Sequence, residues 1–471
     1  MKNLVNIVIV MAILVLGQLA MAQETGAQPP TSPTPAAATP APAPPRLTLK
    51  EAVAATIRQN PDLLAAGSAS EAAKYAVDQA AAGYSPTLSL STNYTHSDST
   101  RGSTSVVSGG QLLYNGSGQG GNSVQDALSS SLNAQLPIYN ATLEPNLRQA
   151  KESRNATQYD QEKTAQELIL QVRTAYFQTL LDQQLIEIQE QGVQNNQLRV
   201  KQAQGFYEAG TAAKVEVTQA QAALSSAELE LSKAQAALEV DWVTLNTLMG
   251  QPSQTPYELE VPALPEVPNT TADSLMKVAA DQRPELQAGW SRIKAQLARV
   301  DAAVAGRFPT LSASMGYNLN GQPTPFNRTW SAGIVFSWAL FDGGADRARA
   351  AQAKATAEQL THQVESTSNS VYKEIATALT GWRTSKVQYA TAQVGLEAAQ
   401  QNRTLAAERY RVGVGSSLEL SNADLSLTQA RSDLAQALKA SQTAAAQLAR
   451  AVGIVDLEQI GQFSKILKDK S

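Results

Sequence analysis

The phrase PTLSLSTNYT, beginning at Pro86, returns as PTLSASMGYN at Pro309, and the phrase ahead of it, NPDLLAA at Asn60, returns as RPELQAG at Arg283. Both echoes share one offset of about 223 residues. Further along, FYEAGTAAKVEVTQAQAAL from Phe206 pairs with RYRVGVGSSLELSNADLSL from Arg409 at an offset of about 203. A chain built this way reads as an internal duplication, with about 20 extra residues between the two strands of the first copy. Those extras centre on GGQLLYNGSGQGGN, Gly109 to Asn122. No strand-to-helix context surrounds these glycines, so they read as a flexible surface loop and not as a nucleotide cradle.

Each copy reads as helix, strand, loop, strand, very long helix, tight turn and returning helix. The returning helices carry a heptad seam: Leu420, Ala423, Leu427, Ala430, Leu434, Ala437, Ser441, Ala444, Leu448 and Ala451 in one copy. Val217, Ala220, Leu224, Ala227, Leu231, Ala234, Leu238, Asp241, Leu245 and Leu248 match it in the other. Alternating large and small layers let two helices approach closely. The descending helices are expected from near Leu143 to Tyr207 and from near Ala345 to Tyr410, each roughly 90 Å long at 1.5 Å per residue. On the first, Leu170, Phe177, Leu181, Leu185 and Ile188 form a narrow apolar stripe. A rod of that length with so narrow a stripe needs partner helices along it.

The strands have a period of two. Leu311, Ala313, Met315, Tyr317 and Leu319 alternate with Thr310, Ser312, Ser314, Gly316 and Asn318. Trp330, Ala332, Ile334, Phe336, Trp338 and Leu340 alternate with small residues, Val335 excepted. The first copy repeats this with Leu88, Leu90, Thr92 and Tyr94, then with Leu128, Ser130, Leu132, Ala134, Leu136 and Ile138. Strands are expected over about 84–96, 124–139, 307–319 and 328–341. Their length and dyad alternation are those of membrane-spanning strands, and Tyr94, Tyr139, Tyr317, Trp330, Trp338 and Phe341 near their ends fit an interfacial girdle. A sheet in lipid must close, because an open edge leaves backbone groups unpaired. Four strands cannot close alone. Two chains give eight strands and a filled interior, whereas three give twelve and a lumen, which small polar inward faces favour.

The ends of the chain add a compartment. Lys2, the apolar run Leu4 to Leu16 and the small-x-small site Ala20-Met21-Ala22 make residues 1–22 a secretory signal. Residues 23–46 hold the Pro-rich tether QPPTSPTPAAATPAPAPP, which cannot bury a core and reads as an extended linker. The first repeat then occupies 47–260, the second 261–453, and a tail 454–471. With no cysteine there is no disulfide, thiolate ligand or lipid-bearing N-terminal Cys, and a net charge of −4 gives no case for nucleic acid.

LTLKEAVAATIRQNPDLLAA (Leu47 to Ala66), the paired PTL strands, ALFDGG (Ala339 to Gly344) and the YxxG tips at Tyr207 and Tyr410 resemble the TolC-like outer-membrane efflux protein family. The resemblance runs from Leu47 to about Gly453. It implies a mixed fold, a membrane β-barrel continued by a long α-helical coiled-coil barrel. In that arrangement a homotrimer shares a twelve-strand barrel in outer-membrane lipid and a twelve-helix periplasmic tunnel. It further implies a periplasmic adaptor and an inner-membrane transporter as partners, with cargo that is drug, metal or polypeptide.

In such proteins the far ends of the rods close the tunnel and meet the adaptor. The turns, at about 208–214 and 411–417, place Ala209, Gly210 and Thr211 in one tip and Val412, Gly413 and Val414 in the other as adaptor contacts. Helix capping explains both glycines equally well. Glu216, Glu419 and Tyr410 match the family's gate positions, and under threefold symmetry each Glu becomes a ring of carboxylates in a narrow pore. A solvated surface Glu is the plainer alternative. Two departures stand out: Asn422 replaces a further acid, and Gly415 replaces a locking arginine, for which Arg409 or Arg411 is a substitute.

No catalytic pattern accompanies these features. His96 and His362 are isolated, and no HExxH, GxSxG or Walker sequence occurs, so no enzyme, metal or cofactor is expected. The rival reading is an outer-membrane-anchored adhesive coiled coil. Internal, duplicated strands followed by helices that turn back favour a conduit.

Overall fold

The computed structural model describes residues 45–100, 107–108, 111–112, 122–264, 270–321, 327–412 and 414–454. The expected signal, nearly all of the linker, most of the tail, most of the Gly109 to Asn122 loop and Gly413 lie outside the described residues. In chain order the elements are β1 (Arg46–Leu47), α1 (Leu49–Gln59), α2 (Pro61–Ala82), β2 (Thr87–Thr100), β3 (Val107–Ser108), β4 (Gln111–Leu112), β5 (Asn122–Tyr139), α3 (Leu143–Glu208), α4 (Lys214–Leu248) and β6 (Glu258–Leu259). There follow α5 (Ala272–Gln282), α6 (Pro284–Ala305), β7 (Thr310–Gly321), β8 (Asn327–Ser337), α7 (Ala345–Arg411) and α8 (Ser417–Val452). At 66 and 67 residues, α3 and α7 are each about 100 Å long. Among the described residues no helix is long and apolar enough to cross a membrane.

The four long strands form one antiparallel sheet in the order β2-β5-β7-β8. Pairing of Leu90 with Leu132, Leu132 with Tyr317, and Tyr317 with Trp330 puts the apolar residues of all four strands on one face. That face is bare in the single chain: Leu90, Trp330 and Ile334 are 72%, 71% and 70% exposed. Its polar pair, Thr92 and Ser130, is satisfied internally by a 3.1 Å hydroxyl contact.

The strand limits differ from the sequence expectation for local reasons. After α2 the amides of Tyr84 and Ser85 still bond to Ala81 and Ala82, and Pro86 has no N–H, so β2 starts at Thr87. Arg307, Phe308 and Pro309 delay β7 in the same way. β8 ends at Ser337, which leaves Trp338, Leu340 and Phe341 beyond it. There the Asp342 carboxylate accepts the amides of Gly344 (2.9 Å) and Asp346 (2.6 Å) and turns the chain into α7. Trp338 donates its indole N–H to the Arg307 carbonyl at 3.0 Å. A register shift at Pro137 and Tyr139 bends the base of β5.

The core lies around the middle of the rods. One cluster joins Val172, Tyr176, Phe177 and Leu180 of α3 to Ala52 of α1 and to Trp242 and Leu245 of α4. Another joins Val371, Ile375 and Leu379 of α7 to Leu275 of α5 and Leu448 of α8. Tyr176 fastens the chain around this waist: its hydroxyl lies 2.9 Å from the Leu47 carbonyl and 2.8 Å from that of Glu260, and accepts the Glu260 amide at 3.0 Å. It thereby holds the parallel β1–β6 pair against α3.

The short helices are held at their starts. Thr48 and Glu51 form a capping box on α1. The Asn60 side-chain oxygen accepts the Asp62 and Leu63 amides at α2, while its amide group donates to the Leu248 carbonyl at 2.9 Å. At the start of α6, Arg283 donates to the Arg450 and Ala451 carbonyls and pairs with Glu374 and Glu285. Arg450 in turn meets Glu167, Glu285 and Glu374, so one guanidinium joins α3, α6, α7 and α8. Burial first raises the Glu374 carboxyl, and the two arginines outweigh it, leaving its pKa below the ordinary range.

The two seams are buried unequally. On α8, Ala437, Ser441, Ala444, Leu448 and Ala451 are buried, whereas of the α4 seam only Leu245 is. The reason is packing: α8 lies against both α7 and α3, while α4 rests mainly on α3.

Candidate functional site at the hairpin tips

The two rods turn back through short loops. Past Glu208, the Gly210 amide bonds to the Tyr207 carbonyl (3.0 Å) and the Thr211 amide to the Phe206 carbonyl (2.9 Å), with Gly210 at φ +73°. This is a Schellman cap, and it requires a residue free to adopt a left-handed backbone. The Thr211 hydroxyl adds a 3.0 Å bond to the same Phe206 carbonyl. In the second tip the Val414 and Gly415 amides converge on the Arg409 carbonyl at 3.0 and 2.9 Å. Ala209 ends α3 and Val412 ends α7, and both Val412 and Val414 are exposed.

A side chain at position 415 would be crowded. A Cβ there would lie 3.0 Å from both the Arg409 Cβ and the Tyr410 nitrogen. The Ser416 hydroxyl then accepts the Glu419 amide at 3.1 Å and starts α8.

Of the acids and partners expected at a gate, the structure brings Glu216 and Tyr410 together. They line a cavity of about 280 Å³ between the two hairpins, with Arg199, Gln202, Leu420 and Ser421. Burial, and then the Glu216 carboxylate, push the Tyr410 phenol above its ordinary pKa. Glu419 lies outside that lining and pairs with Arg409 at 3.2 Å. Arg411 turns to Glu408, one turn back on its own helix. Asn422 is exposed.

Sequence reasoning missed the strongest contact in this region. Asp424 of α8 sits between two guanidiniums, Arg199 of α3 at 3.0 Å and Arg403 of α7 at 3.0 Å, and Arg199 also donates to the Ser421 hydroxyl at 2.8 Å. The only sequence signal is that Asp424 directly follows the seam position Ala423. Its partner on α3 is more than 200 residues away.

Higher on the rods, Asp182 of α3 is buried beside Asp241 of α4. Burial and the neighbouring carboxylate push Asp182 up to about 7, against smaller opposing effects of Gln178 and of Lys439 on α8. Among the described residues no cluster of His, Cys, Asp and Glu has the makings of a metal site.

A sheet with one bare apolar face, set on paired helical rods that end in capped turns, is the build of an outer-membrane protein. The family described as outer membrane efflux protein matches residues 53–251 and 275–454, and the chain belongs to it. Its place is the outer membrane. The fold is that of the outer-membrane channel OprN, with a TM-score of 0.69 and 23% identity over 86% of this chain and 89% of that one. CusC gives a TM-score of 0.71 and 20% identity over 86% and 92%. The probable efflux pump outer membrane protein TtgC of Pseudomonas putida is 26% identical over 330 residues, 67% of this chain. The alignment spans 66% of the length of TtgC.

Proposed function

We propose that this chain is the exit duct of a tripartite exporter, a passive conduit and not an enzyme. It receives cargo from a periplasmic adaptor and an inner-membrane transporter and releases it outside. The observation that carries this reading is the four-stranded sheet: one face apolar and exposed, and both outer edges, β2 and β8, unpaired among the described residues. Unpaired edges are untenable in lipid. Three copies would close them into a twelve-strand barrel, with the four long helices of each chain forming a twelve-helix tunnel. From Leu128 to Ile138 the apolar face runs about 34 Å along β5, or roughly 26 Å of height at a tilt near 40°, the thickness of an outer-membrane band.

The chain is an internal duplication in this reading. Its support is the matched lengths of α1 and α5, α2 and α6, α3 and α7, and α4 and α8, together with the matching roles of Asn60 and Arg283. Ala209, Gly210 and Thr211, with Val412, Gly413 and Val414, form the adaptor-facing rim. Glu216, Glu419, Tyr410 and Asn422 surround the gate. With glycine at position 415, the bridge of Arg199 and Arg403 to Asp424 is the lock of the tips in this reading. The likeness to relatives described as antibiotic and toluene efflux pump outer membrane proteins, each 26% identical over 330 residues, favours small-molecule efflux over polypeptide secretion. Drug or metal sensitivity of a deletion strain agrees with that, and loss of one secreted protein contradicts it.

The first test is native mass spectrometry of the particle extracted from the outer-membrane fraction in mild detergent. A trimer is expected. A monomer that stays soluble without detergent overturns the duct.

A further inference from the structure

The face of the sheet opposite the apolar one has an unusual charge inventory. Its central row runs Ser89, Asn133, Gly316 and Ser331 across the four strands, with Ser91 and Ser131 beside it. The remaining described positions of that face are also Ser, Thr, Asn, Gln, Ala, Gly, Pro or Val, and none is ionisable. Across the four long strands the residues that can carry charge near neutral pH are His96, Asp98, Asp126 and Arg328. Register places all four with the apolar set, at the end of the sheet remote from the helices. There the Asp126 carboxylate meets both His96 (2.6 Å) and the Tyr94 hydroxyl (2.8 Å).

On β2 and β5 several polar groups of the neutral face bond to one another. Ser91 and Ser131 share a 2.7 Å hydroxyl bond, Asn133 donates to Ser131 at 3.3 Å, and Ser89 reaches the Asn133 carbonyl at 3.5 Å. A Cβ on Gly316 would fall 3.1 Å from the Asn133 oxygen and 3.2 Å from the Ser331 hydroxyl, so the glycine leaves those groups their space. Charge selection in a pore comes from rings of fixed charge or aligned dipoles at a constriction. A wall of uncharged hydroxyls and amides supplies neither.

We propose that the bore of the barrel is electrically neutral, so that solutes leave through it regardless of their charge and any selection by charge is confined to the helical part of the duct. This rests on the channel reading above and goes beyond it by assigning the exit no preference between anionic, cationic and neutral cargo.

The chain contains no cysteine, which permits a test on the assembled protein. Asn133→Cys is placed in planar bilayers across a potassium chloride gradient. It is then modified with cationic, anionic and neutral methanethiosulfonate reagents of similar size. The expected result is that the cationic and anionic reagents move the potassium-to-chloride permeability ratio by similar factors in opposite directions, and the neutral reagent leaves it unchanged. A large response to one sign alone means that the wall already carries a field and overturns the proposal, as does no response to either. Ser131→Cys is the second position if Asn133→Cys does not assemble. A protein that forms no channel in any state contradicts the duct itself.

Discussion

Arg199 and Asp424 are 3.0 Å apart across the gap between the two helical hairpins, and their side chains are only 18% and 16% exposed. Surface ion pairs contribute little and buried ones are costly to break. This one lies between those cases, with Arg403 as a second cation on the same carboxylate. Asp424→Asn is expected to cost ~1–3 kcal/mol locally and to raise the open probability of single channels. Arg199→Ala combined with Asp424→Asn should add little to either variant alone, and a fully additive pair would show that the bridge does not lock the tips.

Restoring an arginine at position 415 should not restore a lock. Its Cβ would lie 3.0 Å from the Arg409 Cβ and the Tyr410 nitrogen, so the tip must give by a few tenths of an ångström to hold it. Gly415→Arg is expected to increase protease cleavage between α7 and α8. Protection equal to that of the parent protein would contradict this.

Glu216 and Glu419 differ in surroundings, one in the inter-hairpin cavity and the other on Arg409. If each forms a ring of carboxylates, Glu216→Ala with Glu419→Ala should lower cation preference in bilayer recordings. Unchanged conductance and selectivity would remove both from the gate.

The Asp182 and Asp241 pair gives the waist a pH response. The pKa of Asp182 is raised to about 7 by folding, so the folded chain holds a proton that the unfolded chain has released above about 4. Its favourable contribution is complete below about pH 4 and is lost as pH rises through about 7. Asp182→Asn should therefore flatten the dependence of helix melting on pH between those limits and melt higher than the parent at pH 8. An identical pH profile for variant and parent would sink the argument.

Removing the Tyr176 hydroxyl strands the Glu260 amide, which donates to it, and withdraws a donor from the Leu47 and Glu260 carbonyls. Tyr176→Phe is expected to lose ~1–3 kcal/mol and to speed proteolysis near Arg46. A melting temperature within error of the parent would show that water replaces the bond.

The long helices were readable because their period is sustained over many turns, and the passage from short helix to strand was readable because Pro86 and Pro309 mark it. Burial along α8 follows the heptad seam above Ala437. The seam of α4 could not be weighed from sequence, since what covers it is not its own neighbour in the chain. Capping at Gly210 was legible from local chemistry. The bridge to Asp424 was not, because nothing near residue 424 announces an arginine more than 200 positions earlier. Trp338 and Leu340 were placed inside a strand by their alternation, and the strand ends before them, at Ser337, where the Asp342 carboxylate turns the chain into α7.

The large clusters of the waist end near Asp182 on α3, and the tip begins at Ala209, a span of about 40 Å along which Val193 is the buried residue of α3. It behaves as a cantilever. A swing of about 5° at the waist carries the tip by about 3.5 Å over that length, more than the diameter of a water molecule. Small repacking around Tyr176 or Arg450 is therefore geared into large displacement at the mouth, while the strands at the other end of the fulcrum keep their register.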